Sequence, residues 1–192
     1  MRKNGYAALS KHRAIKRRKL DDYETPENVT RALTRAIRLR GPIWEPAAGS
    51  GRMVRALRDQ TGHHVRSGDI KRGADFLAQS RRWEGCIITN PPYRNDLAER
   101  FVQHALKLAD GRVCMLMQSG FLWSSGRYSL FKDCPPDRII VLCDRIYFSV
   151  NGKPIDSQFF SHAWICWPRR SRRAKDTITR IEWRRVDSVP SV

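Results

Sequence analysis

A double proline at the end of an apolar run constrains this chain more than any other local feature. Residues 86–89 (Cys-Ile-Ile-Thr) have the composition of a strand that is buried on both faces of a sheet. Pro91 and Pro92 follow after Asn90, and neither can continue a strand, because each proline lacks a backbone N–H and has a fixed φ. The chain therefore leaves the sheet in a rigid, extended segment that displays the Asn90 amide and the Tyr93 ring.

A turn of small residues precedes this segment along the chain. A short strand pattern ends at Glu45, and a helical pattern begins at Val54 after a turn that contains Gly49 and Gly51. The two glycines lack the β-carbons that would keep a ligand away from the turn. The strand–turn–helix arrangement is typical of nucleotide-binding folds, but Val54 replaces the third glycine of the dinucleotide motif. The turn therefore indicates a nucleoside ligand without a diphosphate.

An acidic residue follows the turn at an informative distance. Asp69 lies 20 positions after Gly49, near the end of a strand-like segment over 64–70. A carboxylate at this spacing is placed to accept both hydroxyl groups of an adenosine ribose. Because parallel strands end at the same edge of a sheet, we expect Asp69, the glycine turn and Asn90 to lie close together.

Alternating patterns over the remaining chain predict a parallel sheet flanked by helices. A helical stripe covers 97–108, and strand patterns cover 112–117, 138–143 and 162–167. The last two strand patterns are joined only by a loop, which predicts an antiparallel hairpin at the end of the sheet. Segment 178–183 alternates with period two and is compatible with either an edge strand or a tail.

The glycine turn over 45–51, followed by the Asn-Pro-Pro-Tyr segment over 90–93, resembles the S-adenosylmethionine-dependent amino methyltransferases. The likeness is greatest to the enzymes that methylate adenine N6 in DNA, and it covers about residues 21–168. It implies an α/β fold: a single Rossmann-like class I methyltransferase domain with a mostly parallel seven-stranded sheet. Helices on both faces and a terminal antiparallel hairpin complete the implied fold. The implied cofactor is S-adenosyl-L-methionine, without a metal ion.

The resemblance also implies roles for individual residues. The Asn90 side-chain oxygen and the Pro91 carbonyl are expected to accept hydrogen bonds from the exocyclic amine. Pro92 is expected to keep the segment rigid, and Tyr93 to stack on a base that has been flipped out of its helix. Together these four form the implied catalytic segment.

The implied cofactor site combines the glycine turn, acidic residues and their neighbours. Thr25-Pro26 is similar to a further family motif on the cofactor side, and Asp75 is similar to a residue that contacts the cofactor adenine. The full expected set is Thr25, Pro26, Glu45, Pro46, Ala47, Gly49, Gly51, Asp69, Ile70, Asp75, Phe76 and Asn90.

Two further loops are candidates for contact with the substrate. Phe121 and Trp123 follow the carboxyl end of a strand pattern, and they either line a base pocket or belong to an ordinary loop. Lys153 lies in a turn between the last strands, where it either meets a phosphate or remains in a hairpin loop.

The charge of the chain favours a nucleic-acid partner. Its 37 Lys and Arg against 19 Asp and Glu give a formal net charge of +18, which predicts salt-sensitive binding to phosphates. Basic segments flank the predicted catalytic domain: 1–20 is interpreted as a flexible arm, and 169–192 as a tail with a possible edge strand. The family resemblance favours DNA over RNA. An RNA base methyltransferase, a protein-glutamine methyltransferase and a non-catalytic nucleic-acid-binding relative remain alternatives.

No apolar run is long enough to predict a membrane span or a secretory signal. The five cysteines show no C-x-x-C spacing, and most lie in apolar runs, which favours buried, reduced thiols over metal ligands. We therefore expect a cytoplasmic protein. The short interval between Tyr93 and Arg112 predicts an enzyme with a short or relaxed target, or one that shares recognition with another subunit. Phage-encoded and prophage-encoded methyltransferases are often this compact. Restriction-modification, regulation and phage protection are all compatible with the sequence.

Overall fold

The structure, a computed structural model, describes the chain between Tyr23 and Ile181 with four interruptions. The described residues are 23–94, 96–144, 146–154, 161–169 and 178–181. The predicted basic arm over 1–20 lies outside these residues, as does most of the basic segment 169–192. None of the helices in these ranges combines the length and apolar character needed to cross a membrane.

Helices and strands alternate between Glu27 and Leu142, as the sequence patterns predict, and only strands follow within the described residues. The α-helices are α1 (Glu27–Ala36), α2 (Arg52–Thr61), α3 (Leu97–Leu108) and α4 (Tyr128–Asp133). The strands are β1 (Ile43–Glu45), β2 (Val65–Ser67), β3 (Cys86–Thr89), β4 (Val113–Gln118), β5 (Arg138–Leu142), β6 (Ser149–Val150), β7 (Lys153–Pro154), β8 (His162–Trp167) and β9 (Ile178–Ile181). Short 3-10 helices cover Ile70–Arg72, Ser119–Trp123 and Ser125–Arg127.

Seven of these strands form one sheet in the order β2-β1-β3-β4-β8-β5-β9. Strands β1 to β4 are parallel to one another, whereas β8 is antiparallel to both β4 and β5. The predicted mostly parallel sheet and the β5–β8 hairpin are thus confirmed. The hairpin lies near one end of the sheet, and β9 pairs in parallel with β5 outside it.

Helices cover both faces of the sheet, so alternate residues of a strand enter two separate cores. Along β4, Cys114 and Leu116 belong to the core under α1 and α2, whereas Met115 and Met117 belong to the core under α3 and α4. The buried Trp164 of β8 donates its indole N–H to the backbone oxygen of Val29 in α1, at 2.9 Å. This bond holds the first turn of α1 against the sheet.

Strand β2 is shorter than the predicted segment 64–70, because Asp69 begins a new element. Its side chain accepts a hydrogen bond from the Lys71 N–H at 2.9 Å, which caps the 3-10 helix over Ile70–Arg72. The Gly68 N–H donates to the Glu45 backbone oxygen at 2.8 Å. The chain after β2 is therefore folded back towards the turn that follows β1.

Candidate active site

A cavity of about 680 Å³ lies where β1, β2 and β3 end, and we refer to it as the carboxyl-edge cavity. Its size is in the range of small-molecule sites. It brings together most of the sequence-predicted site residues: Thr25, Glu45, Pro46, Ala47, Gly49, Asp69, Ile70, Asp75, Phe76, Asn90, Pro91, Pro92 and Tyr93. Four separate segments of the chain therefore contribute to one cavity.

The glycine turn between β1 and α2 has the conformation that its sequence demands. Gly49 and Gly51 have φ of 49° and 80°, in the left-handed region that favours glycine. Ala48 N–H donates to Gly68 O at 2.9 Å, which attaches the turn to the end of β2. A β-carbon built on Gly49 would have no atom within 4 Å, so open space lies in front of the turn. The backbone of the turn is thus accessible from the cavity.

Asp69 fixes this turn through its carboxylate. One oxygen, Oδ2, accepts from the Gly49 N–H at 2.8 Å, while Oδ1 accepts from the Lys71 N–H. The residue is only 9% exposed, yet it lines the cavity. A carboxylate has about four lone-pair sites, so both oxygens keep capacity for further donors. Asp69 therefore lies beside the turn and holds it in position, and its contact with a ribose stays a prediction.

Glu45 is a buried acid that connects the ends of β1 and β3. It is 1% exposed, and its Oε1 accepts from the Ala47 N–H at 2.9 Å and from the Thr89 hydroxyl at 2.5 Å. Burial raises the pKa of Glu45 to about 8, although the two hydrogen bonds lower it. The nearby Asp69 charge makes a smaller contribution that also raises this pKa. The carboxyl group is accordingly held protonated at neutral pH.

The Asn90 amide is held at both ends. Its Nδ2 donates to Thr25 Oγ1 at 3.1 Å, and its Oδ1 accepts from the Tyr93 hydroxyl at 2.5 Å. The Tyr93 hydroxyl also lies 2.8 Å from the backbone oxygen of Leu116. Burial raises the pKa of Tyr93, with a smaller contribution from Tyr23, so the phenol stays neutral and can donate. The Tyr93 ring is half-buried and forms part of the cavity wall.

Sequence reasoning missed a polar cluster that secures the segment before α1. The Glu24 N–H donates to Ser149 O at 2.9 Å, which joins this segment to β6. Glu24 Oε2 accepts from the Ser149 hydroxyl at 2.6 Å and lies 3.3 Å from Arg52 Nη1. The Ser149 hydrogen bond lowers the pKa of Glu24 and outweighs its desolvation. The only sequence signal was the position of Glu24 directly before Thr25-Pro26.

Aromatic and apolar residues form the remaining wall. Phe76, 3% exposed, packs against Trp44 and Phe101 with ring centroids 5.2 and 4.9 Å apart. Asp75 beside it is exposed and accepts from the Leu77 N–H at 2.9 Å. Leu97 and Phe101 of α3 also line the cavity, although their helical spacing alone had indicated core positions.

Five predicted site residues lie outside the cavity lining. Pro26 precedes α1, and Gly51 precedes α2, where both set the start of a helix. The Phe121 ring is buried against Phe131 in the core rather than facing the cavity, because the 3-10 helix after β4 turns it inward. Trp123 is 80% exposed, and Lys153 is exposed in β7. Within the described ranges, no group of three His, Cys, Asp or Glu side chains is arranged to hold a metal ion.

The fold is similar to solved structures of methyltransferases. A Listeria monocytogenes protein assigned to the class I S-adenosylmethionine-dependent methyltransferases has a TM-score of 0.61 and 11% identity, over 85% of this chain and 66% of that chain. The methyltransferase subunit of a type I restriction-modification system from Streptococcus thermophilus has a TM-score of 0.54 and 14% identity, over 84% and 47%. A Pyrococcus horikoshii protein assigned as an RNA methyltransferase has a TM-score of 0.51 and 14% identity, over 77% and 87%.

These similarities show that the chain has the fold of class I S-adenosylmethionine-dependent methyltransferases. The chain spans 66% of the Listeria protein and 47% of the Streptococcus subunit. A comparison with protein-family models and with curated protein sequences found no match. At such low identities the likeness concerns the fold alone, because one fold supports many different reactions.

Proposed function

We propose that this chain binds S-adenosylmethionine in the carboxyl-edge cavity and transfers its methyl group to the N6 amine of adenine in DNA. One observation carries the proposal: the glycine turn, Asp69 and the segment from Asn90 to Tyr93 line the same cavity. A methyl donor and an acceptor amine must meet within a single site, and this arrangement provides one.

The cavity lining fits the proposed cofactor. The open space at Gly49 admits a ligand close to the turn, and Asp69 presents acceptor capacity suited to ribose hydroxyls. Phe76 supplies an apolar surface for an adenine ring, with the Asp75 carboxylate beside it. When bound, S-adenosylmethionine supplies an electrophilic methyl group attached to a sulfonium.

Asn90 and Pro91 account for activation of the amine. The lone pair of an exocyclic adenine nitrogen is delocalised into the ring, which makes it a poor nucleophile. Acceptors directed at its two N–H bonds favour a tetrahedral nitrogen whose lone pair points at the methyl carbon. The Asn90 side-chain oxygen and the Pro91 carbonyl fill these roles, and alignment of this kind contributes about 7–11 kcal/mol to catalysis in general.

The rim of the cavity supports a polyanionic substrate. Five basic side chains line it, and they come from α2, the segment after β2 and the region around α3: Arg52, Lys71, Arg72, Arg94 and Arg100. Basic groups around a pocket attract a phosphate backbone and hold it while one base is flipped into the pocket, at a cost of a few kcal/mol. The sequence resemblance selects DNA and adenine within this class.

The test is identification of the modified nucleoside. The protein is incubated with methyl-labelled cofactor and, in parallel, unmethylated duplex DNA or total RNA, and the digested nucleosides are separated by mass. We expect N6-methyldeoxyadenosine from DNA, and none with Asn90→Ala. Label in RNA alone would contradict the DNA substrate. No label in either nucleic acid, together with no calorimetric binding of the cofactor, would contradict the proposed function as a whole.

A further inference from the structure

A second cavity lies at the opposite edge of the sheet, and we refer to it as the amino-edge cavity. It occupies about 530 Å³ where β3, β4 and β5 begin and the antiparallel β8 ends. Five arginines line it: Arg38, Arg40, Arg112, Arg138 and Arg169. They come from four separate parts of the chain, so no local sequence pattern predicts the cluster.

Two of these arginines are fixed by the fold. Arg112 forms a bidentate ion pair with Asp137, with Nη1–Oδ1 and Nη2–Oδ2 distances of 2.7 and 2.6 Å. Arg138 Nη1 donates to the backbone oxygen of Ala36 at the end of α1, at 2.5 Å. Both side chains are partly buried, so they form a rigid base for the cavity.

Among the residues that the structure describes, the other three arginines have no charged partner. Arg38, Arg40 and Arg169 are exposed, and within the described part of the chain their guanidinium groups make no ion pair or hydrogen bond. The Asp137 carboxylate beside the cavity is already engaged by Arg112. Like charges that converge on one concave surface without a counter-ion repel one another, and a bound polyanion relieves this repulsion.

We propose that the amino-edge cavity binds backbone phosphates of a nucleic acid, at a place separate from the carboxyl-edge cavity. The guanidinium group presents a planar fork of donors that matches phosphate oxygens, and its charge persists at all physiological pH values. The choice of nucleic acid over an acidic protein rests on the proposed function. Strands of four to six residues, about 13–20 Å, separate the two cavities, so one nucleic acid that reaches both must pass around the domain.

The experiment measures how binding to a fluorescent DNA duplex depends on salt. The variant Arg40→Gln/Arg169→Gln removes two charges from the cavity. The control Arg81→Gln/Lys132→Gln removes two exposed charges that line neither cavity. We expect the slope of log K against log salt to lose about 1.8 in the cavity variant, from two lost phosphate contacts, and to change little in the control. Equal slopes in the two variants would overturn the proposal.

Two further measurements separate charge from structure and from the active site. Arg40→Lys/Arg169→Lys retains the charges without the forks, so its slope should stay near that of the wild type while its affinity falls. Cofactor affinity should be the same in all variants, because none of these side chains lines the carboxyl-edge cavity. If the salt slope changes as expected but the protein does not bind the cofactor, the proposed function is refuted and the phosphate site is not. Equal competition by polyglutamate of matched charge would refute the choice of a nucleic acid.

Discussion

The Tyr93 hydroxyl lies 2.5 Å from Asn90 Oδ1, the same oxygen that we propose accepts a hydrogen bond from the substrate amine. An amide oxygen has two lone pairs, so it can accept from both groups at once. The Tyr93 bond fixes the direction of this oxygen, and Thr25 fixes the amide nitrogen. Asn90 is therefore oriented before any base enters the cavity.

Removing only the hydroxyl tests this orienting role. Tyr93→Phe keeps the ring and deletes the bond to Asn90, so we expect kcat to fall about 2- to 10-fold, the equivalent of one ordinary hydrogen bond. The affinity for the cofactor should not change. Steady-state kinetics with the modified DNA as product provide the measurement. A Tyr93→Phe enzyme as fast as the wild type would show that the hydroxyl does not orient Asn90.

Asn90 itself should be essential for methyl transfer but not for cofactor binding. We expect Asn90→Ala to lose detectable transfer, because the amine then lacks its side-chain acceptor. Thr25→Val removes the partner of Nδ2 and should give an intermediate rate. Gln103→Ala, which removes an exposed amide of α3 that is bonded to Glu99, is the matched control. Loss of cofactor affinity in a folded Asn90→Ala protein would refute this role.

Local patterns predicted those parts of the fold whose cause is local. The apolar residues of β3 determine a buried strand, and the two prolines after it make the chain leave the sheet. The glycines of the turn determine its left-handed backbone geometry. The long-range contacts were not predictable in this way. Glu24 and Ser149 are 125 positions apart, and the Tyr93 hydroxyl contacts the backbone of Leu116 in the neighbouring strand β4.

Two phenylalanines that the sequence predicted as site residues have different positions in the structure. Phe76 and Phe121 both follow strands near the carboxyl edge, but only Phe76 lines the cavity. The direction of each ring depends on the path of the chain after its strand, which apolar character alone does not specify. The arginine cluster of the amino-edge cavity was not predictable from the sequence for a related reason. Arg38 and Arg169 are far apart in the chain, and only the folded sheet brings them together.

Asp69 should support both the glycine turn and the cofactor. Asp69→Asn replaces one carboxylate oxygen with an NH₂ group, so either the Gly49 or the Lys71 N–H loses its acceptor. We expect the free energy of unfolding to fall by about 1–3 kcal/mol and cofactor affinity to fall at least about tenfold. Urea unfolding and calorimetry measure the two effects. Asp59→Asn, at an exposed position of α2, should change neither.

Close approach of two loops at the amino edge should make Gly111 intolerant of a side chain. A β-carbon on Gly111 would lie 2.5 Å from the backbone carbon and oxygen of Gly85, so the backbone must shift. We expect Gly111→Ala to destabilise the protein by about 1–3 kcal/mol, the usual cost of overpacking. Gly120→Ala, where no atom lies within 4 Å, is the control. Equal melting temperatures for the two variants would contradict the close approach.

The buried Glu45 should make stability depend on pH. Its pKa rises from 4.5 in the unfolded chain to about 8 in the folded protein, so between these values the folded state binds the extra proton. The stabilising contribution is therefore complete below about pH 4.5 and is lost as the pH rises towards 8. Glu45→Gln keeps the acceptor for Ala47 and Thr89 without a titratable group.

Urea unfolding of both proteins at pH 5, 6.5 and 8.5 measures this contribution as a difference, which cancels the effect of other titrating groups. We expect the variant to gain stability relative to the wild type across this range, with no further gain above pH 8, because the folded carboxyl group is then ionised. A stability difference that is independent of pH would mean that Glu45 titrates normally in the fold. In that case, the carboxyl group between β1 and β3 would carry its charge at neutral pH.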